Sequence, residues 1–529
     1  MSDPLPIMGA GDEWSPGARE PGSVGARERG ARTSRARRSP DGGCEPDDGG
    51  RRGGPRRRDQ PAARDRCAQG AAVGDALGAP FEFQAAGIFA ESNPVRRLAG
   101  IGEMRGGGSY AWRPAEFTDD TQMEIALAES LIACDGFDAA DLWERWRRWA
   151  EGAPDVGVQT RSVLAAPDHT GAAEAVHVAM DGRSAGNGSV MRNTPIGLWA
   201  AGLDLDELIV LATAQATLTH HDPHNGFAAS IHAAMIRAGL RGEDVFAAID
   251  EVLDRLPAAA RAVWGPLLAP GYEAVPDAPN GDVFTCLAQA VWAVRGAASF
   301  EDAVVRAVML GRDTDTVAAV AGSIAGARWG IQGIPSRWTT YLNGRVARGR
   351  DDHGRLVFTE YDHWELLHLA RGLIGRGPVP DQTADTPGGP TRVHDEVPVF
   401  ASDLEGARTA GRDWAVISLC RTPGAFAERP IRRQAYLVDQ AGAEHNADPI
   451  AVLEDLVATI DAFLEEDPDR PVLVHCHGGR SRTAFVLKAW AMRRHGWSED
   501  EAHRWLEARW DRITRDNATF VDVLRNGWA

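Results

Sequence analysis

Apolar residues recur three and four positions apart along most of residues 66–376, which is the spacing that places them on one face of an α-helix. Four segments show this spacing most clearly: 121–134, 138–149, 205–216 and 227–239. Convincing alternation of apolar and polar positions, the sign of a half-buried strand, is missing from the same region. The pattern therefore predicts an all-α domain whose loops hold the informative polar residues.

The pattern changes after residues 377–390, which are rich in Pro, Gly, Thr and Asp. Short runs rich in β-branched residues at 414–420 and 471–475 alternate with helical stretches at 450–463 and 483–494. Strands that alternate with helices predict a mainly parallel sheet, so residues 391–529 are expected to form an α/β domain. The composition of residues 377–390 is that of a flexible linker, and we expect few contacts between the two domains.

Residues 1–65 are rich in Gly, Pro, Ser, Arg and Asp and show neither helical nor strand periodicity. This composition predicts a disordered tail. Its arginines leave open an arm that binds RNA, although the acidic residues among them oppose that function. An overlong gene start is another interpretation.

Length, charge and composition exclude several classes of protein. A chain of 529 residues is too long for one ordinary core, and its formal net charge of −18 argues against general nucleic-acid binding. No run of 18 or more apolar residues and no signal-peptide pattern is found, so we expect a cytoplasmic protein without membrane contact. None of the six cysteines lies in a CxxC pair, which opposes a zinc knuckle or a disulfide framework.

The strongest chemical signal is the string HCHGGRSRT at residues 475–483, which follows a predicted buried strand and leads into a predicted helix. A tight turn at a helix N-terminus directs backbone N–H groups at an oxyanion and favours the thiolate form of Cys476. Arg482 can hold a phosphate through two parallel hydrogen bonds. The alternative is a buried cysteine before an ordinary glycine turn.

This HCxxGxxRT pattern resembles the dual-specificity and tyrosine phosphatase family over about residues 391–529. The resemblance implies that Cys476 is a nucleophile that forms a phosphocysteine, with no cofactor. It implies that Arg482 stabilises the transferring phosphoryl group and that Thr483 assists release of the thiolate. The other residues implied by the family pattern are His475, which orients the loop, and Gly478 and Gly479, which permit its turn.

The family also uses an upstream aspartate that protonates the leaving oxygen. Asp439 follows a strand-like run, which suits a loop at the carboxyl edge of the sheet, and we prefer it. Asp448 is the second candidate, but it precedes Pro449 and a predicted helix, which is a common N-cap placement.

Two acidic strings stand out in the helical region, FTDDT at 117–121 and GRDTDT at 311–316, and each precedes a predicted helix. Their hard oxygen atoms suit Mg²⁺ or Mn²⁺, although one string alone is more typical of helix caps. Two further segments add to them: GAAVGDALGAPFE at 70–82 opens the domain, and GNGSVMR at 186–192 is a small-residue loop that lets a ligand approach the backbone.

Together these four motifs resemble the ADP-ribosylglycohydrolase family over about residues 66–376. The resemblance implies an all-α fold with two Mg²⁺ or Mn²⁺ ions. It implies that Glu82 lies near the metals, where it is a candidate general base. The implied metal ligands are Thr118, Asp119, Asp120, Asp313, Asp315 and Thr316, and the residues implied to line the ADP-ribose pocket are Asn187, Gly188 and Ser189.

A polar cluster follows at residues 219–224, where His220, His221, Asp222 and His224 resemble a loop on the substrate side of the family's site. A zinc site is the alternative, but the ligand spacing is poor and no cysteine is near.

The sequence therefore predicts a bifunctional hydrolase. One half removes ADP-ribose from a protein or small-molecule acceptor, and the other removes phosphate from a phosphorylated substrate. One alternative is a phosphatase whose first domain only binds ADP-ribose-like ligands. A scaffold with two degenerate sites is opposed by the presence of every motif residue that each activity requires.

Overall fold

The computed structural model describes residues 68–375, 388–422, 426, 429–442 and 445–528. The predicted tail, residues 1–65, and most of the predicted linker, 377–390, lie outside the described residues. Buried apolar residues form one large cluster between Ala72 and Ile374 and another between Val393 and Trp528. The two clusters follow the change of pattern in the sequence.

The first of these regions is mainly helical, as predicted, and ends in a helix after two strands. Its helices are α1 (Ala68–Gly78), α2 (Ile88–Ser92), α3 (Asp119–Ala133), α4 (Ala139–Ala150), α5 (Val158–Leu164), α6 (Ala172–Ala179), α7 (Thr194–Trp199), α8 (Leu205–Thr217), α9 (Pro223–Arg241), α10 (Ala247–Leu253), α11 (Ala258–Leu268), α12 (Val283–Arg295), α13 (Phe300–Val308), α14 (Thr314–Trp329), α15 (Ser336–Thr339) and α16 (His363–Leu373). None of the helices in the described residues is both long and apolar enough to cross a membrane.

Helix α14 lies at the centre of this region, and every residue from Thr314 to Ala327 is buried. Helix α1 packs directly on its backbone. A Cβ atom at Gly74 would lie 2.0 Å from the carbonyl oxygen of Ala318, so only glycine allows this approach. The glycines of the GAAVGDALG segment therefore serve helix packing, which brings the start of α14 next to the end of α1.

One feature departs from an all-α domain. Strands β1 (Asn343–Arg350) and β2 (Leu356–Asp362) form an antiparallel hairpin between α15 and α16. Strand β1 has the sequence NGRVARGR, in which Arg and Gly outnumber apolar residues. A strand of this kind buries few large side chains, and the periodicity of apolar residues does not detect it.

The second region has the predicted α/β architecture. Its sheet has the order β3-β4-β7-β5-β6, in which only the β3–β4 pair is antiparallel. The four residues of β7 are all buried, and His475 at its end lies beside Ser402 and Ser418 on the neighbouring strands. The elements are β3 (Thr391–Arg392), β4 (Val399–Ser402), α17 (Leu404–Ala407), β5 (Ala415–Ser418), β6 (Arg432–Gln434), α18 (Pro449–Glu466), β7 (Val472–His475), α19 (Ser481–His495), α20 (Glu499–Glu507) and α21 (Ala518–Asp522).

The expectation of few contacts between the two regions is wrong. The indole N–H of Trp364 donates to the side-chain oxygen of Gln434 across 3.0 Å. The guanidinium of the buried Arg433 donates to the carbonyl of Gly100 across 2.7 Å. Further hydrogen bonds join residues 332–341 to residues 430–455. The composition of a linker determines how flexible the linker is. It does not determine whether the two domains that it connects pack against each other.

Candidate active sites

Asp75, near the end of α1, anchors the first acidic string. Its carboxylate accepts hydrogen bonds from the backbone N–H of Thr118 at 3.0 Å and from the hydroxyl of Thr121 at 2.6 Å. These bonds hold the N-terminus of α3 against α1. The carboxylates of Asp119 and Asp120 are not needed for this contact between the helices, and both are buried.

The start of α14 brings the second string to the first. The hydroxyl of Thr316 donates to the carboxylate of Asp120 across 3.3 Å. Oxygen atoms of Glu82, Asp313 and Asp315 lie within 4.8 Å of one another. The structure thus brings residues from three of the four motifs to one place.

Burial and mutual repulsion shape the electrostatics of this acidic cluster. Burial, followed by the charges of Asp155, Asp313 and Asp75, raises the pKa of Glu82 from 4.5 to about 8. The same causes raise the pKa of Asp119 well above its ordinary value. An oxygen of Glu82 and one of Asp120 are buried and have no hydrogen-bond partner among the described residues. Buried carboxylates without partners are what a divalent cation would satisfy, so the residues present fit Mg²⁺ or Mn²⁺.

The loop predicted to line the ligand pocket reaches this cluster. It forms a short 3₁₀ turn, Asn187–Ser189, and the side-chain amide of Asn187 donates to Asp313 across 2.7 Å. A Cβ atom at Gly188 would lie 3.0 Å from the ring of His220, so glycine permits this close approach. Ser189 is fully buried and its hydroxyl accepts from Asn225, so Ser189 supports the loop from beneath.

His220 is held by a buried relay. Arg192 donates to the hydroxyl of Thr219 across 2.7 Å, and that hydroxyl lies 2.8 Å from Nδ1 of His220. The Thr219 hydroxyl therefore links the guanidinium of Arg192 to the imidazole of His220. Burial and the charge of Arg192 keep the pKa of His220 well below its ordinary value. The lowered pKa favours the neutral imidazole, whose Cε1–Nε2 edge faces Gly188.

The other members of the histidine cluster do not join His220. His221 is exposed, and Asp222 caps α9 by accepting from the backbone N–H of His224. His224 accepts from the indole N–H of Trp264 across 3.1 Å. Among the described residues these side chains form no metal-binding group, so the zinc alternative has no support in the geometry.

Two residues of this site have no signal in the sequence. Asp155 lies in a Pro-containing loop and faces the acidic cluster, where its charge raises the pKa of both Glu82 and Asp119. The hydroxyl of Tyr110 hydrogen-bonds Asp155, and burial and this neighbour raise the pKa of the tyrosine. A single aspartate in an irregular loop has no periodicity or repeat that would distinguish it from a surface residue.

In the second domain, the strand β7 ends at His475 and the helix α19 begins at Ser481. Cys476 lies in the turn between them and is 1% exposed. The hydroxyl of Thr483 donates to its sulfur across 3.2 Å. His475 is fully buried, with Nε2 2.7 Å from the hydroxyl of Ser418, and burial lowers its pKa to about 3. A neutral His475 therefore ties the start of the turn to the neighbouring strand.

The two glycines of the turn differ in what they permit. Gly479 has a φ of +65°, and a Cβ atom there would lie 2.9 Å from the carbonyl oxygen of Ser402. At Gly478 a Cβ atom would meet only the side chain of Arg480 at 3.7 Å. Backbone geometry therefore requires glycine at 479, whereas 478 has room for a side chain. The indole N–H of Trp510 donates to the carbonyl of Gly479 across 2.7 Å and fixes the turn.

Arg482 lies across the carboxyl ends of the strands. Its guanidinium donates to the carbonyl of Leu419 across 2.8 Å, and its Nε lies 3.7 Å from a carboxylate oxygen of Asp439. Asp448 instead accepts from the backbone N–H of Ala451 and caps α18. Of the two acid candidates, only Asp439 contacts the residue expected to bind the phosphoryl group.

Two family models match the chain. The ADP-ribosylglycohydrolase model matches residues 60–368, and the model of the dual specificity phosphatase catalytic domain matches residues 417–526. These matches confirm both resemblances.

The chain is also similar to individual proteins. ADP-ribosyl-dinitrogen reductase glycohydrolase of Rhodospirillum rubrum is 31% identical over 282 residues, which cover 53% of this chain and 90% of that protein. ADP-ribosylarginine hydrolase Tri1 of Pseudomonas putida is 29% identical, with coverage of 51% and 71%. The crystal structure of human DUSP28 covers 27% of this chain and 94% of its own, with 22% identity and a TM-score of 0.23.

Proposed function

The chain belongs to the ADP-ribosylglycohydrolase family, and from this membership and its dual specificity phosphatase catalytic domain we propose that it is a bifunctional, metal-dependent hydrolase. One domain releases ADP-ribose from an acceptor, and the other dephosphorylates a phosphomonoester through a phosphocysteine. The observation that supports the first activity most is the meeting of Glu82, Asp313 and Asp315 within 4.8 Å. The contact between Thr483 and the sulfur of Cys476 supports the second.

In the first domain, Glu82, Asp313 and Asp315 would hold divalent cations such as two Mg²⁺ or Mn²⁺ ions, which when bound would supply Lewis-acid binding of the ribose hydroxyls and of a water. Water attacks C1″ while the bond from C1″ to the acceptor breaks. The proton of the water passes to a carboxylate of this chain, and the departing acceptor atom takes up a proton. Asn187, which donates to Asp313, fixes the pocket loop relative to the cluster.

Two carboxylates are candidates for the general base. Glu82 groups with Asp313 and Asp315 as a metal ligand would, so its carboxylate would be occupied by a bound cation. Asp155 lies outside that group of three, is half-buried, and is oriented by Tyr110. We therefore assign the proton of the attacking water to Asp155 and place Glu82 among the residues that hold the ions.

The acceptor is proposed from the relatives. The names of the two relatives specify ADP-ribosylated dinitrogen reductase and ADP-ribosylarginine as their substrates. We therefore take ADP-ribosylarginine in a protein as the substrate class.

In the second domain, the thiolate of Cys476 attacks phosphorus and the bond to the leaving oxygen breaks. Asp439 donates its proton to that oxygen, because an alkoxide is a poor leaving group. Arg482, 3.7 Å from Asp439, holds the equatorial oxygens of the phosphoryl group. Water then attacks the phosphocysteine, Asp439 accepts its proton, and the sulfur departs as a thiolate that Thr483 stabilises by a hydrogen bond.

The test uses the purified full chain with ADP-ribosylated arginine and serine peptides, with and without Mg²⁺, and with a phosphotyrosine peptide. We expect Mg²⁺-dependent release of free ADP-ribose from the arginine peptide and Mg²⁺-independent release of phosphate. Tight binding of ADP-ribose without turnover of either peptide would establish the alternative, in which the first domain is only a binding module.

A further inference from the structure

The loop that carries Asp439 connects β6 to α18, and one side chain of the first domain reaches into it. That side chain is Gln332, in the short 3₁₀ turn Ile331–Gly333 that follows α14. Gln332 is 6% exposed. It is therefore a buried polar residue whose partners come from the other domain.

Both ends of the Gln332 amide are used. Its oxygen accepts from the backbone N–H of Asp448 across 2.7 Å. Its nitrogen donates to the side-chain oxygen of Asn446 across 3.0 Å and to the carbonyl of Tyr436 across 3.4 Å. A backbone N–H can only donate and a carbonyl can only accept, so these partners fix the orientation of the amide.

Asn446 is 2% exposed and connects Gln332 to Val438, the residue before Asp439. Its oxygen accepts from the backbone N–H of Val438 across 3.0 Å, and its nitrogen donates to the carbonyl of Val438 across 2.9 Å. Both backbone groups of Val438 are thus held. The next residue is Asp439, whose carboxylate lies 3.7 Å from Nε of Arg482.

The turn that carries Gln332, which anchors the Asp439 loop, follows a buried helix. Helix α14 is buried from Thr314 to Ala327 and begins with Asp313 as its N-cap, and Gln332 follows its end after Gly330. A helix of 16 residues is about 24 Å long. The position of Gln332 is therefore set by the core of the first domain.

We propose that Gln332 is a positioning residue for the phosphatase reaction, by which the glycohydrolase domain holds the general-acid loop of its neighbour through Asn446. This inference rests on the proposed function of Asp439. A loop held at Val438 keeps the carboxyl group within reach of the leaving oxygen, and a loosened loop donates the proton less often. Loss of the anchor should therefore impair poor leaving groups and spare good ones, which depart without a proton.

The experiment compares kcat/KM for an alkyl phosphate and for an activated aryl phosphate in the full chain. Gln332→Ala removes all the side-chain bonds, and the nearly isosteric Gln332→Glu replaces the donor by a carboxylate that repels Asn446 and Tyr436. Each variant should lower the alkyl rate about tenfold more than the aryl rate, a part of the usual contribution of a general acid. Tyr341→Phe is the matched control, because it removes an interdomain bond to the carbonyl of Arg432, away from the acid loop, and should leave the ratio unchanged.

A double-mutant cycle separates positioning from general damage. In an Asp439→Asn background, Gln332→Ala should cause no further loss of the alkyl rate, because both changes remove the same proton donation. Additive losses, or a Gln332 variant with a normal ratio, would overturn the inference and leave the function of Asp439 intact. If Asp439→Asn itself leaves the ratio unchanged, the acid assignment and the inference fall together.

Discussion

The hydroxyl of Thr316 donates to the carboxylate of Asp120 across 3.3 Å, although the two residues are 196 positions apart in the chain. This bond joins the start of α14 to the start of α3. The start of α3 supplies Asp120, one oxygen of which is buried without a hydrogen-bond partner among the described residues, and the start of α14 supplies Asp313 and Asp315. The cluster between the two starts is the proposed metal centre.

The first prediction concerns the ligands. Asp315→Ala should remove most bound Mg²⁺ or Mn²⁺, because Asp315 lies within 4.8 Å of both Glu82 and Asp313. Metal content of the dialysed protein measures this directly. Asp138→Asn is the control, since Asp138 caps α4 and asparagine preserves the cap. Equal metal content in Asp315→Ala and the wild type would contradict the assignment.

The second prediction follows from charge. Burial raises the pKa of Glu82 to about 8, so the folded metal-free chain retains this proton longer than the unfolded chain does. The stability of the metal-free chain should therefore decrease as pH rises from the ordinary value of 4.5 towards 8. A bound cation removes this penalty because it binds the ionised carboxylate.

The increase in melting temperature produced by Mg²⁺ should consequently be larger near pH 8 than near pH 5.5. Differential scanning fluorimetry at fixed Mg²⁺ measures it. The Asp315→Ala variant serves as the control and should show little increase at either pH. A wild-type increase that is the same at both pH values would mean that the cluster does not bind the ion.

The third prediction separates the two carboxylates. Asp155→Asn should keep its bound metal and lose release of ADP-ribose, because it removes the proposed base without altering the group of three. Glu82→Gln should lose metal and activity together. Metal content and turnover measured on the same preparations distinguish them. Loss of metal in Asp155→Asn with normal metal in Glu82→Gln would reverse the two assignments.

The fourth prediction concerns release of the phosphocysteine. Thr483→Ala removes the hydroxyl that donates to Cys476 Sγ, so the second chemical step should slow by about tenfold or more, as for a lost hydrogen bond to a charged group. A burst of aryl alcohol in stopped-flow kinetics would report the accumulated intermediate. Thr459→Ala, at a buried threonine whose hydroxyl bonds the carbonyl of Asp455, should show no burst. Absence of a burst in Thr483→Ala would assign another role to this hydroxyl.

Much of the fold could be predicted from the sequence where one periodicity dominates. The helix predicted over residues 121–134 spans Asp119–Ala133, and the strand predicted over 471–475 spans Val472–His475. The hairpin β1–β2 could not be predicted, because its Arg- and Gly-rich strand carries little apolar alternation.

The residues of the candidate sites also fall into two groups, those that the sequence predicts and those that it does not. Motif residues such as Asp313 and Cys476 are visible because their neighbours in the chain form a pattern. Asp155 and Gln332 act through contacts with residues far away in the chain, and no local pattern marks such contacts. The interface between the domains could not be predicted either, because its hydrogen bonds join residues far apart in the chain.

We propose that one chain carries two hydrolytic chemistries, each with its own reacting residues. The direct measurement assays both activities in the wild type, Cys476→Ser and Asp315→Ala, each as the full chain. We predict that Cys476→Ser loses phosphatase turnover and keeps release of ADP-ribose, and that Asp315→Ala shows the opposite loss. Full release of ADP-ribose in Asp315→Ala, or near-normal phosphatase turnover in Cys476→Ser, would contradict the account.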